Sequence, residues 1–573
     1  MRIPACLSVC AVAVAGAWPG TVGAQTPQVV PCNGQRIEAL RIVTVAPSVA
    51  GVQRIPVVSE IARHVHVTTR PNVIERFLLL HVGDRCSELR RAESERILRA
   101  QPFIADATVQ AVKSDSGGVD LEVHTIDEVE LLFSATARAK MPFLTQLRMG
   151  SANVNGEGIS AVGRWWHEPA FRDGLSVGLT DYQMFGQSYQ GTVQAARDPL
   201  GGSYHFGLQR PFLTDLQRTA WRVQQGEAVD YVRFVDPSRV VHAMRAERAY
   251  SDIGGIVRIG PPGRLLLLGM SISHEGEHPG TAPLLLSSGG VAPDTSSEFT
   301  GRYTAHSVSR LNALVGYRNL RYVRTTGLDA LRNTQDVPVG IQAGALIGKS
   351  ASFLGSADQD MLVGTDIYAG WASARSGLRF QASGEARRSF NGPAWDGVLG
   401  SGRLAQYQRV GESEMLIGSL EWSGGWRVRV PFRMTLAGVD GGIRGMSEGQ
   451  EQGGRRAIMR VEDRIDLGTP WGSTADIGVA LFADAGRLWA GDVPYGVTTP
   501  LRYSAGFSLL AAVPSHSARM WRLDVAFPRV PGRGVRVAFR LSRSDQSTVF
   551  WRDPRDVARA RERSVPASLF NWP

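Results

Sequence analysis

The chain has 573 residues, a formal net charge of +10 and a hydrophobic share of only 43%, with 64 glycines. Its best apolar run, Leu265-Leu266-Leu267-Leu268, soon meets Ser271, His274 and Glu275, so no transmembrane helix is expected and a membrane role would fall to strands. The positive charge is carried almost wholly by arginines spread through strand-like segments, not gathered in a patch, which argues against a nucleic-acid partner.

The N-terminus reads as an export signal. Met1-Arg2 gives a basic start, Ala5 to Ala17 is an apolar small-residue run, and Val22-Gly23-Ala24 is a small-x-small cleavage site before Gln25. Residues 1–24 are therefore set aside from the fold. Cys10 lies too early, after bulky Val9, to mark a lipoprotein. Cys6 and Cys10 leave with the signal, and Cys32 and Cys86 remain. An even pair in an oxidising compartment points to a disulfide, the alternative being two separate buried thiols.

Residues 25–128 mix α and β patterns. A strand is expected over 37–43. A helix over 72–80 follows, with Val73, Ile74, Phe77 and Leu78 at helical spacing and Gly83 ending it. A second helix over 88–101 turns Leu89, Ala92, Ile97 and Leu98 inward and its Arg and Glu residues outward. Strands over 108–112 and 119–123 flank a Ser116-Gly117-Gly118 turn. This order, with Gly83-Asp84 between the helices, Leu98 late in the second, Phe103 after it and a closing hairpin, resembles a single POTRA domain. The resemblance implies a periplasmic domain that receives unfolded or client polypeptides, partly by adding a strand to its sheet edge. The plainer alternative is a small α+β spacer.

Residues 129–542 consist of segments of about ten residues that alternate in polarity between Gly, Asp, Asn and Pro turns, the pattern of a transmembrane antiparallel β-barrel. Leu175, Val177 and Leu179 oppose Ser176, Gly178 and Thr180; Tyr204, Phe206 and Leu208 oppose His205, Gly207 and Gln209. The clearest alternation is Trp426, Val428, Val430, Phe432, Met434 and Leu436 against Arg427, Arg429, Arg433 and Thr435, read as a strand. A soluble sandwich also alternates, but long strands, many arginines and an export signal favour a barrel, which must close to leave no backbone group unpaired in lipid. Residues 543–573 form a tail past the last clear strand.

One constellation goes beyond composition. Gly441-Gly442-Ile443-Arg444-Gly445-Met446 is followed about forty residues later by Phe482-Ala483-Asp484-Ala485-Gly486. Together they resemble the Omp85 superfamily, in which a loop with an (V/I)RG(Y/F) tip folds into the lumen and its arginine meets an F-x-D-x-G strand. The resemblance implies sixteen strands and a pairing of Arg444 with Asp484, with Gly442 and Gly445 permitting the tight tip. Met446 departs from the family's aromatic, and one POTRA-like domain stands where relatives carry more. An arginine on an inward loop in any case calls for a carboxylate, since fork-to-carboxylate pairing is directional.

Two other motifs are set aside. His274 to His278 fits HExxH, but Gly276 and Pro279 argue against the helix that zinc chemistry needs. Ala343 to Ser350 fits a relaxed phosphate loop, yet alternates as a strand. No catalytic set, metal site or cofactor is expected, so an enzyme is not. The leading expectation is a bacterial outer-membrane protein, domain in the periplasm, that assists insertion or translocation of polypeptides. The alternative is a passive or structural barrel, its arginine-rich wall favouring anions; a surface receptor is a third, with no specific feature behind it.

Overall fold

The structure is a computed structural model and describes residues 28–46, 68–545 and 553–561, apart from breaks at 138–143, 169–171, 281, 288–289, 391, 393, 439–440, 448–450, 471–473, 531 and 533. The expected export signal, 1–24, lies outside the described residues.

The N-terminal unit is built from β1 (Asn33–Val45), α1 (Pro71–Glu75), β2 (Arg85–Ser87), α2 (Glu88–Arg99), β3 (Ile104–Lys113) and β4 (Val119–Asp127). Its sheet runs β2-β1-β4-β3, with β1 and β4 parallel. Ile37, Ile74, Phe77, Leu98, Phe103 and Leu121 form its core, and a Cys32–Cys86 disulfide ties the start of β1 to β2. Two details differ from the sequence expectation. The first helix stops at Glu75, and Phe77, Leu78 and Leu80 enter the core from the irregular chain beyond it. In α2, Leu89 is exposed while Glu95 and Arg96 are buried; the helix's second face is covered by the barrel.

From Leu131 to Asp545 the chain forms a closed antiparallel barrel. The short segments Leu284–Ser287 and Gly290–Pro293 prolong the strands Arg264–Pro279 and His306–Thr326, and Gly534–Val535 prolongs Ala538–Asp545, all against shared partners. Twenty strand positions result among the described residues, not the sixteen the resemblance implied. The early segments Leu131–Ala137, Leu144–Ser151, Ile159–Trp166 and Gly174–Met184 alternate and turn like the rest, and join the ring as hairpins.

Pleating sorts the side chains. Leu175, Val177, Val193, Ile253, Met270, Val315, Ile347, Leu481 and Leu509 lie outward and exposed. Inward positions hold Asp252, Glu275, Arg310, Arg387, Glu462 and Asp484, all buried. An apolar exterior on this scale suits hydrocarbon rather than water.

The strongest sequence alternation is not a wall strand. Glu414–Trp426 ends at Trp426, and Arg427 turns the chain with φ 47°. The segment beyond enters the lumen, where Val430, Phe432, Met434 and Leu436 are buried. A two-faced extended chain alternates whether its apolar side meets lipid or an interior cluster, so periodicity could not separate the two.

Candidate functional site: an arginine latch in the lumen

The inward loop spans the connection between strands Glu414–Trp426 and Arg455–Gly468. Its apolar residues meet Ile458 and Leu488 from the wall in one buried cluster. Near its root Arg429 donates to Asp360 at 2.8 Å and to both oxygens of Asp396 at 3.0 Å. Asp360 and Glu275 also hold Arg310, and Glu275 holds Arg387, so the root sits on an alternating lattice of charge.

The tip is built for closeness. Amides of Gly442 and Ile443 donate to Ala437 and Leu436 carbonyls, and Gly438 donates to Met446. A Cβ on Gly442 would lie 2.3 Å from the Leu436 carbonyl oxygen. Gly445, at φ 82°, faces Ala526 so closely that a Cβ there would come within 2.6 Å of the alanine methyl. Ile443 is fully buried, packs near Gly486, and Met446 packs on the same cluster.

This brings Arg444 onto strand Asp476–Trp489. Its Nε donates to Asp484 Oδ2 at 2.9 Å and Nη2 to Oδ1 at 2.6 Å, while its own amide donates to Oδ2 at 2.9 Å. Nη1 donates to Glu462 at 2.8 Å, and the guanidinium stacks 3.7 Å from the Phe482 ring centroid. The residues singled out at 442–446 and at 482, 484 and 486 thus converge. Sequence reasoning missed Glu462, which also accepts from Arg464 and Arg522, and Arg460, which donates to the carbonyls of Gly441 and Gly442. Their only signal was the alternation of charge at Arg460, Glu462, Arg464 and Asp466, which marks a lumenal face but names no partner.

The N-terminal unit docks on one barrel mouth through several turns. Gln183 donates to the Val73 carbonyl at 2.8 Å, Arg70 N to the Gly156 carbonyl at 3.1 Å, and Arg519 to the Pro102 carbonyl. Along α2, Arg99 grips Asp336 through Nε at 2.9 Å and Nη2 at 2.7 Å; Glu95 meets Arg324; and Arg96 lies 4.4 Å from the Tyr322 ring centroid. Burial pushes the Glu95 carboxyl up, but hydrogen bonding and charge from Arg99, with Arg324 behind, outweigh it and hold it below its ordinary value. At the junction Asp127 accepts from Thr69 N at 2.6 Å and Thr69 Oγ1 at 2.8 Å. There burial wins and its carboxyl is pushed up to about 6.

Fold and site together define a class: a membrane-type β-barrel with a small α+β domain docked at one mouth and an arginine-latched loop inside. Among solved structures the chain is similar to BamA from Haemophilus ducreyi lacking POTRA domains 1-3, at 12% identity over 88% of this chain and 84% of that one, with a TM-score of 0.37. It is also similar to CdiB from Acinetobacter baumannii (10% identity, 89% and 73% coverage, TM-score 0.39) and CdiB from Escherichia coli (10%, 91% and 92%, 0.34). No family model and no curated protein matches.

Proposed function

We propose that this chain is an Omp85-type protein of the bacterial outer membrane that assists insertion or translocation of other polypeptides, its POTRA-like domain receiving them on the periplasmic side. The observation that carries the reading is the latch. A loop tip of Gly-Ile-Arg-Gly folded into the lumen is bonded through its arginine to the aspartate of Phe-x-Asp-x-Gly. Such a pair costs desolvation, and a barrel that only leaked solutes would gain nothing from building it. The passive-pore alternative loses its main support, because Arg310, Arg387, Arg429 and Arg522 on or in the lumen are matched by carboxylates and offer little net field to anions.

Quantitative outer-membrane proteomics after depletion of the protein tests this reading. Loss of a defined set of barrels or surface proteins is expected and would name the clients; an unchanged proteome would sink it. Restoring Arg444→Ala in place of the parent should rescue client levels less well than it restores barrel abundance, and equal rescue per folded barrel would remove the latch from the mechanism.

A further inference from the structure

The tail beyond the last strand was unreadable from sequence, and part of it lies inside the barrel. Helix α3 (Arg555–Arg561) touches the wall at widely separated places. Arg456 donates to Asp556 Oδ2 at 2.8 Å and Oδ1 at 3.0 Å. Ser401 Oγ donates to Asp553 at 2.7 Å. Arg561 donates to Ser383 Oγ at 2.8 Å, to the Leu399 carbonyl at 3.2 Å and to Asp553 at 3.0 Å. Arg248 donates to the carbonyls of Arg559 and Ala560 at 2.7 and 3.2 Å, at the end of the helix whose unpaired carbonyls favour a cation.

Arg248 stands on strand Val241–Ile259 and Arg456 on Arg455–Gly468, eight strand steps apart around the ring. At about 4.8 Å per step that is about 38 Å of wall, whereas a seven-residue helix is about 10 Å long. Only a helix lying across the interior meets both. The wall residues involved sit on the inward face of their strands: Ser401 and Arg456 are buried while Val410 and Met459, on the opposite parity of the same strands, are exposed. Val557 is fully buried, in the same cluster as Phe432, Met434, Leu436 and Ile443 of the latched loop.

We propose that Arg248, Ser383, Leu399, Ser401 and Arg456 form a lumenal seat for a helical peptide with paired aspartates, that its ligand is the chain's own segment 553–561, and that the segment stoppers the lumen until it is displaced. The seat supplies a guanidinium fork for one aspartate, a hydroxyl for the other, a cation for the helix's carbonyl end and an apolar socket for Val557. It is independent of which polypeptides the barrel handles, and it would hold equally for a simple pore.

The test compares the intact chain with one ending after residue 552, which keeps every wall strand, and with full-length Asp556→Arg. Both variants are first shown to fold by heat-modifiable migration in gels. In planar bilayers the intact chain should be almost always closed. Truncation or Asp556→Arg should raise the open fraction by at least about a hundredfold, the factor that loss of a buried ion pair carries. Adding Arg456→Asp to Asp556→Arg should restore closure by exchanging the charges. A second readout is the Ser383→Cys thiol, which a water-soluble maleimide should label slowly in the intact chain and fast in the truncated one. A folded truncated chain that conducts no more than the intact one overturns the proposal, and so does equal labelling of that thiol in both.

Discussion

Removing the arginine of the latch should free the loop by an amount the contacts allow to be worked out. In Arg444→Ala, Glu462 keeps Arg464 and Arg522, so its burial remains compensated. Asp484 fares worse: its fully buried side chain loses two guanidinium hydrogen bonds, and the loop's own amide is a weak substitute. Breaking a buried pair in this way costs about 3–5 kcal/mol, with the stacking on Phe482 a further loss of about 1 kcal/mol. The loop's opening equilibrium should therefore rise by about three to four powers of ten. Hydrogen–deuterium exchange reads this directly, because the amides of Gly438, Gly442, Ile443 and Met446 are bonded within the loop and exchange only when it opens. Combining Arg444→Ala with Asp484→Asn should recover part of the protection, since the orphaned charge is gone. If exchange over 436–446 in Arg444→Ala stays within about threefold of the parent, the latch does not hold the loop and the argument from it fails.

Other consequences follow from the docked domain. Arg99→Ala should loosen α2 from the barrel by about 2–4 kcal/mol; spin labels at exposed Lys113 and Glu412 should then change from one distance to a broad distribution. Asp127 has a folded pKa raised to about 6 from an unfolded value near 3.9. The folded state thus holds the proton more tightly, and its contribution to stability, full below about pH 4, is lost as pH rises through about 6. Protection of the Thr69 amide should decline over that window, and Asp127→Asn should flatten the profile. Cys32→Ser should destabilise the N-terminal domain by about 4 kcal/mol on the loop-entropy estimate for a separation of 54 residues, measured by domain-specific exchange with and without reductant in the parent.

Much of the barrel was legible because a wall strand must send apolar residues to one side, and Leu175 to Thr180 shows that rule without interference. The same rule misplaced Val428 to Leu436, whose apolar side faces an interior cluster. The polar residues of α2 were read as solvated, since Glu95 and Arg96 reveal their burial only once Arg324, Tyr322 and Leu213 are brought to them. Arg444 and Asp484 were legible through resemblance, not periodicity. Glu462 was legible only as a charge on a lumenal face, and α3 not at all. A carboxylate among arginines gives no hint of which loop it will receive, and a segment as charged as 553–561 resembles a solvated tail until a wall of opposite charges surrounds it.

The last strand has one more role that its position imposes. In the strand register the backbone of Asp545 lies opposite Arg519, at the mouth where Arg519 also holds the Pro102 carbonyl, and Asp553 is already seated against Ser401. Eight residue steps separate the two aspartates, a leash of at most roughly 28 Å. The last strand neighbours the first in the ring, where Arg543 donates to the Leu131 carbonyl at 2.9 Å. Anything that carried this strand farther from the seat than that covalent reach would draw Asp553 off Ser401, so on the proposal above parting of the wall and unplugging of the bore would be a single mechanical event.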